Sequence, residues 1–383
     1  MAALIYILAL LALLNLFKVL RRMGELPRVG RGAYGVGVPP LVSVIVPMRN
    51  EERNVVRCME SLLDQDYERY EVIAVDDASE DKTLELLRGY EVNHDCVGVI
   101  ALHEKPYGWV GKNHALAAGA KEARGDLLLF VDADTCAERF MLSSTVAYLE
   151  KSRLDMLSLF PYQELVTFWE KVVQPLVFGV IQIAYPCERV NSTAFSDALA
   201  CGQFILVRKE AYLIAGGHEA IKDRIVEDLE LARSLKEKGF KIGIADGGEV
   251  LKTRMYTSLG ELWEGWAKNL YPGMGCRLSL AARLVLSIAC LSIAPPIVFP
   301  VALYSFCLTP GTDNLSLSLL SLFLIAANLL FYSKQVLRMH VPLRYVLLFP
   351  LSAAVFVACL TFSVYRVLTG KGVVWKGRVY RQV

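Results

Sequence analysis

Residues Leu127 to Thr135 read LLLFVDADT, and this stretch decides the fold class. Five apolar residues run straight into Asp132 and Asp134, which flank a single alanine. An unbroken apolar run of that length predicts a strand buried on both faces, as in a parallel sheet. In open α/β sheets, ligands gather at the carboxyl ends of the strands. Side chains at i and i+2 of an extended strand share a direction, so both carboxylates can face one cleft. Hard oxygen ligands at such a spot suit Mg2+ or Mn2+ bridging to phosphates. A D-x-D pair alone reads more readily as a solvated turn, so the weight falls on the chain around it.

Upstream, the pattern alternates. Strands are expected at Leu41–Pro47, Glu71–Asp76, Val97–Leu102 and Asp126–Val131, with helices between them at Glu52–Asp64, Asp81–Tyr90 and Lys112–Arg124. This βαβα order predicts an α/β domain with a mostly parallel sheet covered by helices. The first strand ends in VPMRNEE, where Pro47 should stop the ladder and Asn50 or Glu51 can open the next helix. The second ends in VDDASEDKT, which sets Asp76 and Asp77 side by side and leaves Ser79 or Asp81 to cap a helix. An aspartate there can accept the N–H of a base or bond a ribose hydroxyl. Lys112 opens an alanine-rich helix after KPYGWVG. The positive end of a helix prefers anions, so a lysine beside it suggests a phosphate shared by both. No glycine-rich phosphate loop follows the first strand.

Downstream, Arg139–Lys151 reads as a helix and Leu154–Phe160 as a strand. Leu165–Tyr185 is apolar with scattered polar residues, and fits either a helix at a bilayer surface or a buried core helix. Residues 200–218 read as a strand, a basic helix start and a Gly-Gly turn. In IVEDLELARSLKEKGF, Glu227 and Asp228 head an amphipathic helix that stops at Gly239. First-turn acids serve the helix dipole; near a cleft, one of them can also act as a general base.

Composition adds a membrane. Of the 383 residues, 54% are hydrophobic, high for a soluble chain. The net charge of +2 gives no field for nucleic acid. Nine scattered cysteines with no C-x-x-C pair argue against a zinc ribbon or a disulfide framework. Residues 1–22 read as an N-terminal transmembrane anchor, and Arg21 and Arg22 point the following domain into the cytoplasm. The Gly- and Pro-rich segment 23–40 reads as a linker, and 41–257 as the catalytic domain. Residues 258–275 suggest an interfacial helix. Three apolar stretches, about 281–307, 315–333 and 345–365, give a C-terminal transmembrane region over 276–368. The first carries Ala-Pro-Pro and is expected to be broken or re-entrant. A basic tail, 369–383, should be cytoplasmic, which requires that one of the three stretches not cross.

The motifs VPMRNEE, VDDASEDKT, GWVGK, VDADT and IVEDLELA, in this order, resemble a membrane-bound family 2 glycosyltransferase with the GT-A, Rossmann-like fold. The GWVGK stretch and the tail VVWKGRVY look most like the subgroup that glycosylates ceramide, hopanoid or carotenoid lipids. The resemblance implies that Pro47, Arg49 and Glu51 line a nucleoside pocket and that Asp77, with Asp76, holds the base. It implies Lys112 at the diphosphate, Asp132 at the ribose or sugar, Asp134 on a divalent Mg2+ or Mn2+, and Asp228 as catalytic base. The partners implied are a nucleotide sugar, a UDP-sugar first, and a membrane lipid acceptor at the bilayer. Processive polysaccharide synthases of this family carry Q-x-x-R-W. Here Leu262-Trp263-Glu264-Gly265-Trp266 keeps only the last residue, which favours transfer of a single sugar. An enzyme acting on polyprenyl phosphate is the nearest alternative, kept open by Arg208, Lys209 and Arg224.

Overall fold

In the computed structural model the apolar runs of the first half become strands. Those are β1 (Val42–Met48), β2 (Tyr70–Asp77), β3 (Val97–Leu102) and β4 (Leu127–Val131). β4 is buried at every position, as an unbroken apolar run requires. The structure describes residues 24–32 and 38–380; the anchor expected over 1–22 lies outside them. Two compact units are distinguished.

The first unit comprises Glu25–Glu164, Cys187–Met255 and the chain from Lys376 onward. Short β5 (Thr135–Ala137) follows β4, then β6 (Met156–Phe160), β7 (Tyr162–Gln163), β8 (Phe204–Arg208), β9 (Ile242–Asp246) and β10 (Leu251–Thr253). The main sheet is seven-stranded, in the order β3-β2-β1-β4-β8-β6-β9. All neighbours are parallel except β8, which runs antiparallel to β4 and β6. β5, β10 and β7 form a small second sheet. Val44, Val46, Leu129 and Leu206 belong to one core cluster, packed under Met59 and Leu62 of the helix Val55–Leu63. This is the mostly parallel, helix-covered α/β sheet that the alternation called for.

Three local expectations are corrected. Pro47 does not end the ladder: β1 runs on to Met48, with Pro47 opposite Val75. β4 pairs with β1 only as far as Ile45, so the proline's missing N–H falls beyond that ladder. The next helix starts at Val55, not at Asn50 or Glu51. Asn50 adopts φ +51 instead, and its side chain accepts from Glu80 N (2.8 Å) while Ser79 Oγ accepts from Asn50 N (3.0 Å). Ser79 therefore ties two strand-end loops together rather than capping a helix. Asp81 does accept from Thr83 N (3.0 Å), at the start of the helix Thr83–Asn93.

The second unit gathers Leu165–Pro186 and Tyr256–Trp375. Its helix Phe168–Ala184 opens with a capping box between Thr167 and Glu170. One face of it is buried, and Gln174 Oε1 accepts from Trp266 Nε1 (2.9 Å) of the helix Leu259–Gly273. Ser363 Oγ, in the helix Phe349–Leu368, donates to the Ala267 carbonyl (2.5 Å). Three helical segments are long and apolar enough to cross a bilayer: Leu278–Leu308, Thr312–Arg338 and Leu343–Leu368. The first is not broken at Ala-Pro-Pro. A π-helical turn, Ala289–Ile293, precedes the prolines and the helix continues to Leu308. The widened turn accommodates the carbonyls that the prolines, having no N–H to donate, leave without their usual partners. All nine cysteines are free.

Candidate active site

The carboxyl ends of β1, β2 and β4 bring the sequence-selected acids to one edge of the sheet. Asp76 and Asp77 close β2 and are buried, at 2% and 4% exposure. Asp76 Oδ2 accepts from Ser79 N (3.2 Å). Asp77 Oδ2 pairs with Arg378 Nη1 (2.5 Å). Asp76 Oδ1 and Asp77 Oδ1 are buried with no hydrogen-bond partner among the described residues. Arg49, just past β1, donates through Nη1 to the carbonyls of Asp77 (2.7 Å) and Ala78 (2.6 Å). Ala78 pays for that fit with φ +52, a conformation a Cβ disfavours. Glu51 is bonded by Asn54 Nδ2 (2.6 Å) and by Lys376.

Lys112 stands in the first turn of the helix Gly111–Glu122. Sequence reasoning explained this lysine by a phosphate. In the structure it pairs with two carboxylates, Asp132 Oδ1 at 2.6 Å and Glu227 Oε1 at 2.7 Å. Burial works against its charge, but these partners outweigh that and hold its pKa well above the ordinary lysine value. The bridge spans the end of β4 and the start of the helix Glu227–Glu237. There Asp228 Oδ2 accepts from Gly202 N (2.9 Å) and Oδ1 from Leu229 N (2.7 Å). Burial, then the Glu227 charge, push the Asp228 carboxyl up to about 6. Gly202 has a reason to lack a side chain: a Cβ there would stand 3.2 Å from Lys112 Nζ and 3.3 Å from Asp228 Oδ2.

Asp134 lies between these groups electrostatically. Burial, then Asp132 and Glu51, raise its carboxyl to about 7. A carboxylate crowded by others in this way is one that a divalent cation would relieve. Among the described residues, no three His, Cys, Asp or Glu side chains form a complete metal cage. Mg2+ or Mn2+ here would be held by one or two carboxylates, with phosphate and water completing its shell. A polar relay not foreseen from sequence orients Asp134. Gln163 Nε2 donates to Gln203 Oε1 (3.2 Å), Gln203 Nε2 to Thr253 Oγ1 (3.1 Å), and Thr253 Oγ1 to Asp134 Oδ1 (3.2 Å). The residues of this relay come from β7, the chain just before β8, and β10, and no motif marks them.

Lys376 and Arg378, read from sequence only as tail charges, are the other surprise. Their one advance signal is the tail match at VVWKGRVY. A single run of contacts therefore links Asp77, Arg378, Arg49, Lys376 and Glu51, and a second links Asp132, Lys112, Glu227 and Asp228. Asp134 feels Glu51 of the first and Asp132 of the second.

A model of glycosyl transferase family 2 matches residues 43–213, which hold β1 through β8 and every acid above except those of Glu227–Asp228. Over that segment the chain is similar to glycosyl transferase family 2. It is 27% identical over 247 residues to the 4,4'-diaponeurosporenoate glycosyltransferase of Staphylococcus haemolyticus, a match spanning 61% of this chain and 61% of that relative's length. It is 28% identical over 246 residues to the enzyme of that name from Staphylococcus aureus, spanning 61% of this chain and 62% of the relative. A solved mannosyltransferase from Pyrobaculum calidifontis, in complex with GDP-Man and Mn2+, superposes with a TM-score of 0.53 at 20% identity. That match covers 96% of this chain and 97% of the other, and the likeness is one of fold. The α/β unit thus has the GT-A architecture, and three helical segments among the described residues are long and apolar enough to cross a membrane.

Proposed function

We propose that this protein is an inverting, metal-dependent transferase that moves a single sugar from a nucleotide sugar, a UDP-sugar, to a membrane lipid. Its catalytic domain works at the cytoplasmic face of the cell membrane. The observation that carries the reading is the Lys112 bridge from Asp132 to Glu227, beside an Asp228 whose carboxyl is pushed up to about 6 by burial. The bridge joins the strand-end acids to a group suited to taking a proton.

On this reading Pro47, Arg49 and Glu51 line the nucleoside pocket, and Asp77, with Asp76, accepts the base through its unengaged oxygen. Lys112 meets the diphosphate and Asp132 the ribose or the sugar. Asp134 would hold Mg2+ or Mn2+, which when bound supplies Lewis-acid charge against the leaving diphosphate. Asp228 takes the proton of the acceptor hydroxyl as that oxygen attacks the anomeric carbon. The nucleoside diphosphate leaves from the opposite face, so an α-linked donor gives a β-linked product. A base is most effective when its pKa lies near the working pH, and about 6 meets that condition.

The named relatives support a lipid acceptor, since theirs is diaponeurosporenoate. A lipid leaves its tails in the bilayer and offers only its head group to the cleft. The test is mass spectrometry of lipids from cells with and without the protein, followed by the purified protein with labelled UDP-sugars. One added sugar mass on a lipid is expected. Label found only in a polymer, or on polyprenyl phosphate, overturns the assignment.

A further inference from the structure

The segment Lys376–Tyr380 returns to the ends of β1 and β2. Lys376 (φ +45) and Gly377 (φ +76) form a left-handed pair that turns the chain sharply. Lys376 Nζ donates to the Arg49 carbonyl (2.9 Å) and pairs with Glu51. Two residues on, Arg378 pairs with Asp77 Oδ2 (2.5 Å), and its Nη2 donates to the Asp77 carbonyl (3.3 Å) that Arg49 also uses. Tyr380 OH accepts from Gly111 N (3.4 Å) at the start of the helix Gly111–Glu122. Gly111 is required here, because a Cβ would overlap both the Arg378 guanidinium and the Asp77 carboxylate.

We propose that Lys376 and Arg378 are positioning residues of the donor site. Resting on the reading that Asp77 meets the nucleoside, the argument has two parts. Arg378 engages Oδ2 and so fixes the carboxylate with Oδ1 left over. That atom is buried and without a partner among the described residues, which is costly unless a ligand N–H completes it. The second part is charge. Glu51 and Asp77 stand with Asp76, Asp132 and Asp134 at one sheet edge, and a nucleotide sugar arrives with an anionic diphosphate. Lys376 and Arg378 cancel two of those carboxylates, so that the diphosphate is not repelled. Arg378 matters more, since its planar fork holds both an oxygen of the side chain and the backbone carbonyl.

The experiment compares the full-length protein with Arg378→Ala, Arg378→Lys and Lys376→Ala, all in detergent with Mn2+. Calorimetry measures binding of UDP and of uncharged uridine. Arg378→Ala should weaken UDP by at least about tenfold, the scale of a lost charge-assisted hydrogen bond. Arg378→Lys should recover part of it, and Lys376→Ala should affect UDP more than uridine. In turnover assays the donor KM should rise by a larger factor than kcat falls. A merely structural tail would instead lower the folded fraction and kcat with KM unchanged. Arg378→Ala binding UDP within twofold of the unaltered protein overturns the tail assignment alone. An unaltered protein that binds no nucleoside diphosphate overturns the donor reading and this proposal together.

Discussion

Replacing Asp228 by asparagine removes the proposed proton acceptor while keeping the side chain's size. General-base assistance is worth about 10²- to 10⁴-fold, or about 3–5 kcal/mol of barrier at about 1.4 kcal/mol per decade. The substitution also has a structural cost. Both carboxylate oxygens accept backbone N–H groups, from Gly202 and from Leu229. An amide offers only one oxygen, so one of these bonds is lost, at about 1–3 kcal/mol. The two effects are separable. Nucleotide binding, followed by calorimetry, reports the folded site, and single-turnover transfer from labelled donor to lipid reports the chemistry. Turnover per binding-competent molecule should fall at least about a hundredfold. The pH profile gives a second reading. With its carboxyl near 6, Asp228 is protonated and inactive below that value. The rate of the unaltered protein should climb about tenfold per pH unit below about 6 and level off above it. The asparagine variant should lack that limb. Turnover within tenfold of the unaltered protein, or a flat native profile between pH 5 and 7, refutes the assignment of the base.

Asp134→Ala should abolish the Mn2+-dependent part of UDP binding, and chelation of the metal should have the same effect on the unaltered protein; calorimetry with and without Mn2+ checks both. Lys112→Met removes the cation that Asp132 and Glu227 share, and in so partly buried a bridge its loss should cost about 1.5–3 kcal/mol, the scale of a hydrogen bond to a charged group. The melting temperature of the solubilised protein should drop accordingly, and an unchanged value would contradict the bridge described here. Gly111→Ala should weaken UDP binding and expose the tail to protease, because the added methyl displaces Arg378 from Asp77. Ala78→Gly should be nearly neutral in stability. It relieves a left-handed residue worth about 1 kcal/mol, but glycine loses about 0.5–1 kcal/mol more chain entropy on folding.

The parallel core was legible because β1, β2 and β4 are dense runs of Val, Ile and Leu, and such runs have few other uses. The clustering of Asp76, Asp77, Asp132 and Asp134 followed from it, since parallel strands deliver their carboxyl ends to one edge. The small sheet of β5, β7 and β10 was not legible. Strands of two or three residues carry no period, and their pairing is set by partners more than a hundred residues away in the case of β5 and β10. The partners of Lys112 were missed for a related reason. Helix-dipole logic sees only the local turn, whereas Asp132 and Glu227 arrive from other elements. Asn50 misled because a residue suited to capping a helix is equally suited to a left-handed turn. The Gln163–Gln203–Thr253 relay leaves no mark at all, being three common polar residues that acquire meaning only by meeting.

The ion pairs at Glu51 and Asp77 bridge 325 and 301 residues of sequence. A ribosome adds roughly 5–20 residues per second, so the β1 loop waits roughly 15–65 s for Lys376. During that interval the three apolar helical segments Leu278–Leu308, Thr312–Arg338 and Leu343–Leu368 are made. Every described segment long and apolar enough to cross a membrane is thus complete before the ends of β1 and β2 acquire these counter-charges. A fusion placed beyond Tyr380 would crowd the very segment that finishes the job.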